Sequence, residues 1–248
     1  MNKSSQNFIN SLVSLGMLKF GEFKLKSGKI SPYYVDLRIL ISYPSTLSLA
    51  CNLLYNLFKN QQNPKPNLLC GITAAGVPIA TILAQKLNLP LITNKKEPIY
   101  YKELVEKIRS EITNTNKNEF YNTLKIIESF GKFKGHGLNK YVDGYIQENS
   151  RIGLIDDLIT TAKSKIEVKE LLMLEKDRVG LKNIVITDVY VLLDREQGGS
   201  EILNRNGLKL HSVFKITDVI NHLYKNNTLN SVKYNAIMDY IVNEKSYT

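Results

Sequence analysis

Arg151-Ile-Gly-Leu-Ile-Asp-Asp-Leu-Ile-Thr-Thr-Ala-Lys-Ser164 is the stretch that decides the fold. Ile152 to Ile155 is a short apolar run, as a strand buried on both faces requires. Two adjacent carboxylates, Asp156 and Asp157, end it. A hydroxyl-rich turn follows, from Thr160 through Thr161, Ala162 and Lys163 to Ser164, and then a helical pattern over 164–176. This order sets charged groups at the carboxyl edge of a sheet, where open α/β folds bind ligands. The free N–H groups of a helix N-terminus favour a phosphate there. The acids suit sugar hydroxyls or a hydrated divalent cation. Adjacent strand residues point to opposite sides, so each acid meets a different group. Alone, the pair could be an acidic helix cap worth ~0.5–2 kcal/mol; the strand before it and the hydroxyl turn after it favour a binding site.

Working outward, strand and helix patterns alternate. Strands are expected over 67–72, 90–94, 151–155, 183–194 and 209–214, and helices over 44–58, 76–87, 164–176, 216–223 and 232–242. Such alternation argues for a mostly parallel central sheet flanked by helices. Before it lie a helix over 4–15 and two strands, 20–25 and 32–37, joined by a Lys-Ser-Gly-Lys turn. Residues 98–132 break the rhythm with two charged helical patterns around a polar spacer, and are too short to bury much core alone. The expected organisation is one domain over 1–248, with a surface insertion at 98–132.

Bulk properties narrow the class. The chain has 248 residues, 43% of them hydrophobic, enough for a sizeable core. No apolar run approaches the roughly 20 residues of a membrane span, and the first residues lack the apolar core of a signal peptide. Cys51 and Cys70 read as buried free thiols, which fits a reducing, cytoplasmic setting. The net charge of +10 comes from lysines spread along the chain with no dense basic block. That pattern suits an anionic small substrate better than nucleic acid.

Four further segments carry chemistry. Cys70-Gly-Ile-Thr-Ala-Ala-Gly-Val-Pro78 joins a strand to a helix that Pro78 is expected to start; Gly71 and Gly76 let backbone approach a ligand. In Gly21-Glu-Phe-Lys-Leu-Lys-Ser-Gly-Lys-Ile-Ser-Pro-Tyr-Tyr34, Lys26 is placed to pair with a carboxylate, and Tyr33 or Tyr34 to cover an aromatic base. Lys95-Lys-Glu97 and, beyond the insertion, Lys132-Phe-Lys-Gly-His-Gly137 suit a lid closing on an anion. Leu192-Leu-Asp-Arg-Glu-Gln-Gly-Gly199 ends the long strand; Arg195 can grip a planar carboxylate or base oxygens, or form a structural ion pair with Asp194 or Glu196. His211 and His222 read as structural.

Taken in order, these segments resemble orotate phosphoribosyltransferase, of the type that forms the first half of bifunctional UMP synthase. The resemblance runs from Phe20-Gly-Glu-Phe23 through Leu25-Lys-Ser-Gly28 and Ser31-Pro-Tyr-Tyr34 to Leu193-Asp-Arg-Glu-Gln-Gly-Gly199 and Leu208-Lys-Leu-His-Ser-Val213. It implies a type I phosphoribosyltransferase fold with an N-terminal hood and a helical insertion in the catalytic loop. It implies Mg²⁺-dependent transfer of phosphoribose from phosphoribosyl pyrophosphate (PRPP) to orotate, giving orotidine 5′-monophosphate and pyrophosphate for UMP synthesis. By the same resemblance, Asp156 and Asp157 would engage the ribose hydroxyls and the magnesium shell. Thr160, Thr161, Ala162, Lys163 and Ser164 would hold the 5′-phosphate, with Thr160 near the orotate. Lys26, Tyr34 and Arg195 would bind orotate. Gly71, Thr73, Ala74, Ala75 and Gly76 would form the pyrophosphate loop, and Lys95, Lys96, Lys134 and His136 would grip the pyrophosphate. A homodimer sharing its mobile loop between subunits is implied, as is association with an orotidylate decarboxylase.

The chain departs from that family pattern at three places. Ala162 stands where glycine is usual, Ala75 where many members carry lysine, and the insertion separates Glu97 from Lys134. The first and third motivate an alternative, a regulatory protein that binds PRPP or nucleotide without turnover. Lys26 and Arg195 suit an anionic pyrimidine rather than a purine.

Overall fold

A computed structural model of the chain describes residues 1–24, 28–62, 64–95 and 140–245. The elements are α1 (Lys3–Ser14), β1 (Leu18–Lys24), β2 (Ile30–Val35), a 3-10 turn (Leu37–Ser42), α2 (Pro44–Lys59), β3 (Leu68–Gly71), α3 (Gly76–Leu87), β4 (Leu91–Asn94), β5 (Val142–Asp143), β6 (Arg151–Ile159), α4 (Lys163–Val179), β7 (Val185–Asp194), α5 (Gly199–Arg205), β8 (Lys209–Lys215), α6 (Ile216–Lys225) and α7 (Ser231–Lys245). Six strands form one sheet in the order β5-β4-β3-β6-β7-β8. Every pairing in it is parallel except that of β4 with β5. The fold is the α/β class expected.

The central strands show why the sequence selects this layering. In β7, Tyr190 and Leu192 enter one core while Val189 and Val191 enter the other. In β6, Ile155 joins the first core, and Ile152 and Leu154 the second. This is the period-two alternation of a sheet covered on both sides, and it needs apolar residues at every position. α1, α2, α3, α6 and α7 line the first core and α4 the second.

β1 and β2 form a separate antiparallel hairpin. With α1 and α7 it makes the N-terminal hood, held by Tyr33 against Tyr240 and by a Lys29–Glu244 ion pair at 2.9 Å. The C-terminal helix is thus part of the hood, a contact that sequence order conceals.

Three expectations need correction. β6 does not end at Ile155: β7 is long enough to keep the ladder going, with Asp156 opposite Val191 and Ile159 opposite Asp194. α3 spans Gly76–Leu87 as expected, with Pro78 inside its first turn, where proline is tolerated. β5 was not foreseen, since two residues carry no periodicity. Nor was α5, whose seven residues follow a glycine pair that reads as a loop. The insertion at 98–132 lies outside the described residues. Both cysteines are buried free thiols, and burial pushes each up to about 12. Among the described residues no helix is long and apolar enough to cross a membrane.

Candidate functional site

Strand order places the site. The chain leaves β3 for β4 on one side, then returns to add β6 on the other. Connections at the carboxyl ends of β3 and β6 therefore diverge and leave a crevice, the place where open α/β sheets take ligands. The turn after β3 and the turn after β6 both open onto it. They are tied together where the Ile72 N–H donates to the Ile155 carbonyl at 2.9 Å.

The acid pair sits on this edge with its members facing apart. Asp156 is buried, and both its oxygens are committed. Oδ2 accepts from Lys165 Nζ at 2.6 Å, and Oδ1 accepts from the Asp157 N–H at 2.9 Å. Asp157 is partly exposed, and its Oδ1 accepts from the Leu158 N–H at 2.7 Å. Burial, and then the neighbouring Asp156 charge, push the Asp157 carboxyl up to about 7.

Below the acids, Thr160, Thr161, Ala162, Lys163, Ser164 and Lys165 line an open cavity of about 460 Å³ together with Glu167. Ala162 has a left-handed backbone, φ +63°, and is the N-cap of α4. No side chain caps this helix, so its first N–H groups are left for an anion or water. Thr161, Lys163 and Ser164 are exposed. Gly199 of α5 packs so closely on this turn that a β-carbon there would collide with the Thr160 carbonyl.

The turn after β3 lies at the same sheet edge, tied to β6 through Ile72. Gly71 and Gly76 are buried at its two ends, Thr73 and Ala75 are half-buried, and Ala74 is exposed. The Thr73–Ala74 peptide is cis. Buried Asn94, at the end of β4, braces the turn: its Oδ1 accepts from the Thr73 N–H at 2.9 Å, and its Nδ2 donates to Thr73 Oγ1 at 3.2 Å. Lys95 follows and pairs with Asp143 at 3.2 Å.

Arg195 leaves β7 beside the same edge, its N–H donating to the Ile159 carbonyl at 3.0 Å. Its guanidinium lies 5.0 Å over the Tyr33 ring. Its Nε and Nη2 and the Tyr33 hydroxyl are buried, and none has a hydrogen-bond partner among the described residues. The neighbouring acids are engaged elsewhere: Asp194 accepts from the Glu196 N–H, and Glu196 from the Thr217 N–H. Buried donors without partners are costly, so these groups are candidates to bind a ligand's acceptors. Burial, although opposed by Arg195, raises the Tyr33 pKa. Tyr34 lies on the opposite face of β2, beside Phe23 and with Arg38 Nη2 at 3.4 Å from its hydroxyl.

The fold therefore gathers Gly71 to Gly76, Asp156, Asp157, Thr160 to Ser164 and Arg195 around one sheet edge. Lys26, Lys96, Lys134 and His136 lie outside the described residues. Sequence reasoning passed over Lys165 and Asn94. Lys165 could have been flagged, because it shares the apolar stripe of α4 with Val168 and Leu172, where a charged residue needs a partner. His211 is bonded to Asp188 at 2.8 Å and stacked on Tyr190.

Among the described residues no three His, Cys, Asp or Glu side chains cluster to hold a metal. Asp157 is the acid of the pair with an oxygen to spare. One carboxylate suits Mg²⁺, which keeps several waters and takes its other ligands from substrate phosphates.

No family model matches the chain. Over 238 residues it is 31% identical to the orotate phosphoribosyltransferase of Saccharolobus solfataricus, covering 95% of this chain and 97% of that protein. It is 29% identical to the uridine 5′-monophosphate synthase of Caenorhabditis elegans, covering 94% of this chain but 38% of that longer protein. The crystal structure of orotate phosphoribosyltransferase from Aeropyrum pernix superposes with a TM-score of 0.62 at 26% identity, over 90% of this chain and 99% of that one.

Proposed function

The chain belongs to the orotate phosphoribosyltransferase family, and on that premise we propose how its residues carry the reaction. It transfers the 5-phosphoribosyl group of PRPP to orotate, forming orotidine 5′-monophosphate and pyrophosphate in pyrimidine biosynthesis. The observation that carries the residue assignment is the β6–α4 edge: an outward acid one turn from an uncapped helix N-terminus, beside buried Arg195, two of whose donors have no partner among the described residues.

The 5′-phosphate lies in the turn from Thr160 to Ser164, against the first N–H groups of α4. The ribose hydroxyls meet Asp157, with Asp156 behind it. The turn from Gly71 to Gly76 receives the pyrophosphate. Arg195 meets orotate with its unpaired donors, beside the Tyr33 ring; Tyr34, on the other face of β2, is placed at orotate by family resemblance alone. By family resemblance Lys26 adds to the orotate site, and Lys95, Lys96, Lys134 and His136 grip the leaving group.

Breaking the anomeric bond puts positive charge on the ribose and negative charge on pyrophosphate. The Asp157 carboxylate faces the first charge and the lid cations the second, so stabilisation grows as the bond breaks. Asp157 would hold Mg²⁺, which would supply charge neutralisation for the leaving group. Orotate N1 bonds to the anomeric carbon as the bond to pyrophosphate breaks, inverting that centre, and the N1 proton is released to solvent or to the departing pyrophosphate.

A homodimer and an association with an orotidylate decarboxylase are part of this proposal. Relatives named uridine 5′-monophosphate synthase, of which the chain spans about two-fifths, support the second. Two buried free thiols and the lack of a membrane-crossing helix among the described residues accord with a cytoplasmic setting.

The test is a coupled assay of the purified chain with Mg²⁺, PRPP and orotate, following orotate loss and pyrophosphate release, with uracil, adenine and hypoxanthine alongside. Magnesium-dependent turnover with orotate alone is expected. A folded chain that binds PRPP and turns over no base would overturn the proposal in favour of a regulatory binding protein.

A further inference from the structure

Lys165 belongs to none of the sets assigned above, yet it is 4% exposed and lies at the centre of the site. Its ammonium has three protons and three acceptors around it: Asp156 Oδ2 at 2.6 Å, the Leu158 carbonyl at 2.7 Å and Ser164 Oγ at 3.4 Å. Every donor is used inside the protein, so this lysine does not reach for a ligand. The three acceptors come from distinct parts of the site. Asp156 is the inner member of the acid pair, Leu158 sits midway along the end of β6, and Ser164 belongs to the phosphate turn. One buried cation thus joins the sugar-facing end to the phosphate-facing end.

We propose that Lys165 is a positioning residue for the sugar phosphate: it fastens the Asp156 carboxylate to the phosphate turn, so that Asp157 and the α4 N-terminus are held at one fixed separation. The inference rests on the assignment of PRPP to this edge. Three consequences follow. Asp156 is an internal anchor, its oxygens filled by Lys165 and the Asp157 N–H. Asp157 is left as the carboxylate that meets the ribose. The geometry that Lys165 fixes matters only to a ligand that touches both ends, because a ligand at one end needs no fixed separation.

The experiment uses the full chain with Lys165→Met, which keeps the length and removes the charge. Steady-state rates give KM for PRPP and for orotate. Ribose 5-phosphate, which spans both ends, and inorganic phosphate, which occupies one, serve as competitors against PRPP. Expected are a rise of about tenfold or more in the PRPP KM and the ribose 5-phosphate inhibition constant, with the orotate KM and the phosphate inhibition constant changed by less than about threefold. Where Lys165→Met does not fold, Lys165→Gln, which can still donate to Asp156, is read in the same way. Folded variants with wild-type PRPP KM, or with both competitors weakened equally, would overturn the proposal and leave Lys165 a support for the fold. Absence of turnover in the wild-type chain would instead overturn the assigned function.

Discussion

Gly76 and Asp156 meet through their backbones: a β-carbon on Gly76 would lie 3.0 Å from the Asp156 α-carbon and collide with the Ile155 carbonyl oxygen. The start of α3 is therefore pressed onto the carboxyl end of β6, which brings the two turns of the crevice within reach of one ligand. Gly76→Ala must push the helix away. It is expected to cost about 1–3 kcal/mol in urea unfolding, the usual cost of overpacking, and to raise the PRPP KM while leaving the orotate KM near wild type. An unchanged unfolding midpoint would show that α3 can shift freely.

The Arg195 guanidinium lies 5.0 Å from the centre of the Tyr33 ring, with two donor nitrogens unpaired among the described residues. Lysine keeps the charge but loses the planar fork and the stacking surface. Arg195→Lys is expected to raise the orotate KM by about tenfold or more, the worth of one charged hydrogen-bond pair. Steady-state kinetics with each substrate varied in turn would show the PRPP KM unaffected. Equal effects on both substrates would move Arg195 out of the base pocket.

Ala162 occupies a left-handed backbone position at the head of α4, where the family that the chain resembles usually carries glycine. Relief of that strain in Ala162→Gly gains about 1–2 kcal/mol, while the lost methyl burial costs about 0.8 kcal/mol and the looser unfolded chain about 0.4–1 kcal/mol. The terms nearly cancel. Chemical denaturation should place the variant within about 1 kcal/mol of wild type. A loss well beyond that would mean the alanine methyl is an essential packing element of the phosphate turn.

Glu175 joins α4 to the segment leading into β5, accepting from the Tyr141 N–H at 2.9 Å and from Arg178. Burial pushes its carboxyl up, but the Arg178 and Tyr141 hydrogen bonds outweigh this and hold it below the usual glutamate value. A depressed folded-state pKa means that the ionised carboxylate stabilises the fold above the unfolded value of about 4.3. That contribution is lost as pH falls through the folded value. Glu175→Gln should therefore be less stable than wild type by about 1 kcal/mol at pH 7, with the gap closing toward pH 3. Thermal melts of both proteins across that range measure it. A gap that persists at pH 3 would assign the difference to packing rather than to charge.

The strand–helix alternation, the acid pair and the hydroxyl turn were readable from the chain because each is local: three periodic or compositional signals within about fifteen residues. Family strings such as Leu193-Asp-Arg-Glu-Gln-Gly-Gly199 carried the substrate. The end of β6 was misplaced for an equally local reason. Charged residues look like the end of a buried strand, but β7 continues alongside and keeps the ladder paired.

The sequence by itself determined which residues could do chemistry and the layer architecture that displays them, since periodicity and residue type act over one or two turns of chain. Tertiary structure alone decided how those residues are wired. Asp156 turns inward to Lys165 while Asp157 stays partly exposed; Asn94 crosses from β4 to brace Thr73; Tyr33 rather than Tyr34 lies under Arg195; and α7 closes on the hood beside Tyr33. Each of these depends on which buried polar group finds a partner, and a partner is found in space rather than along the chain.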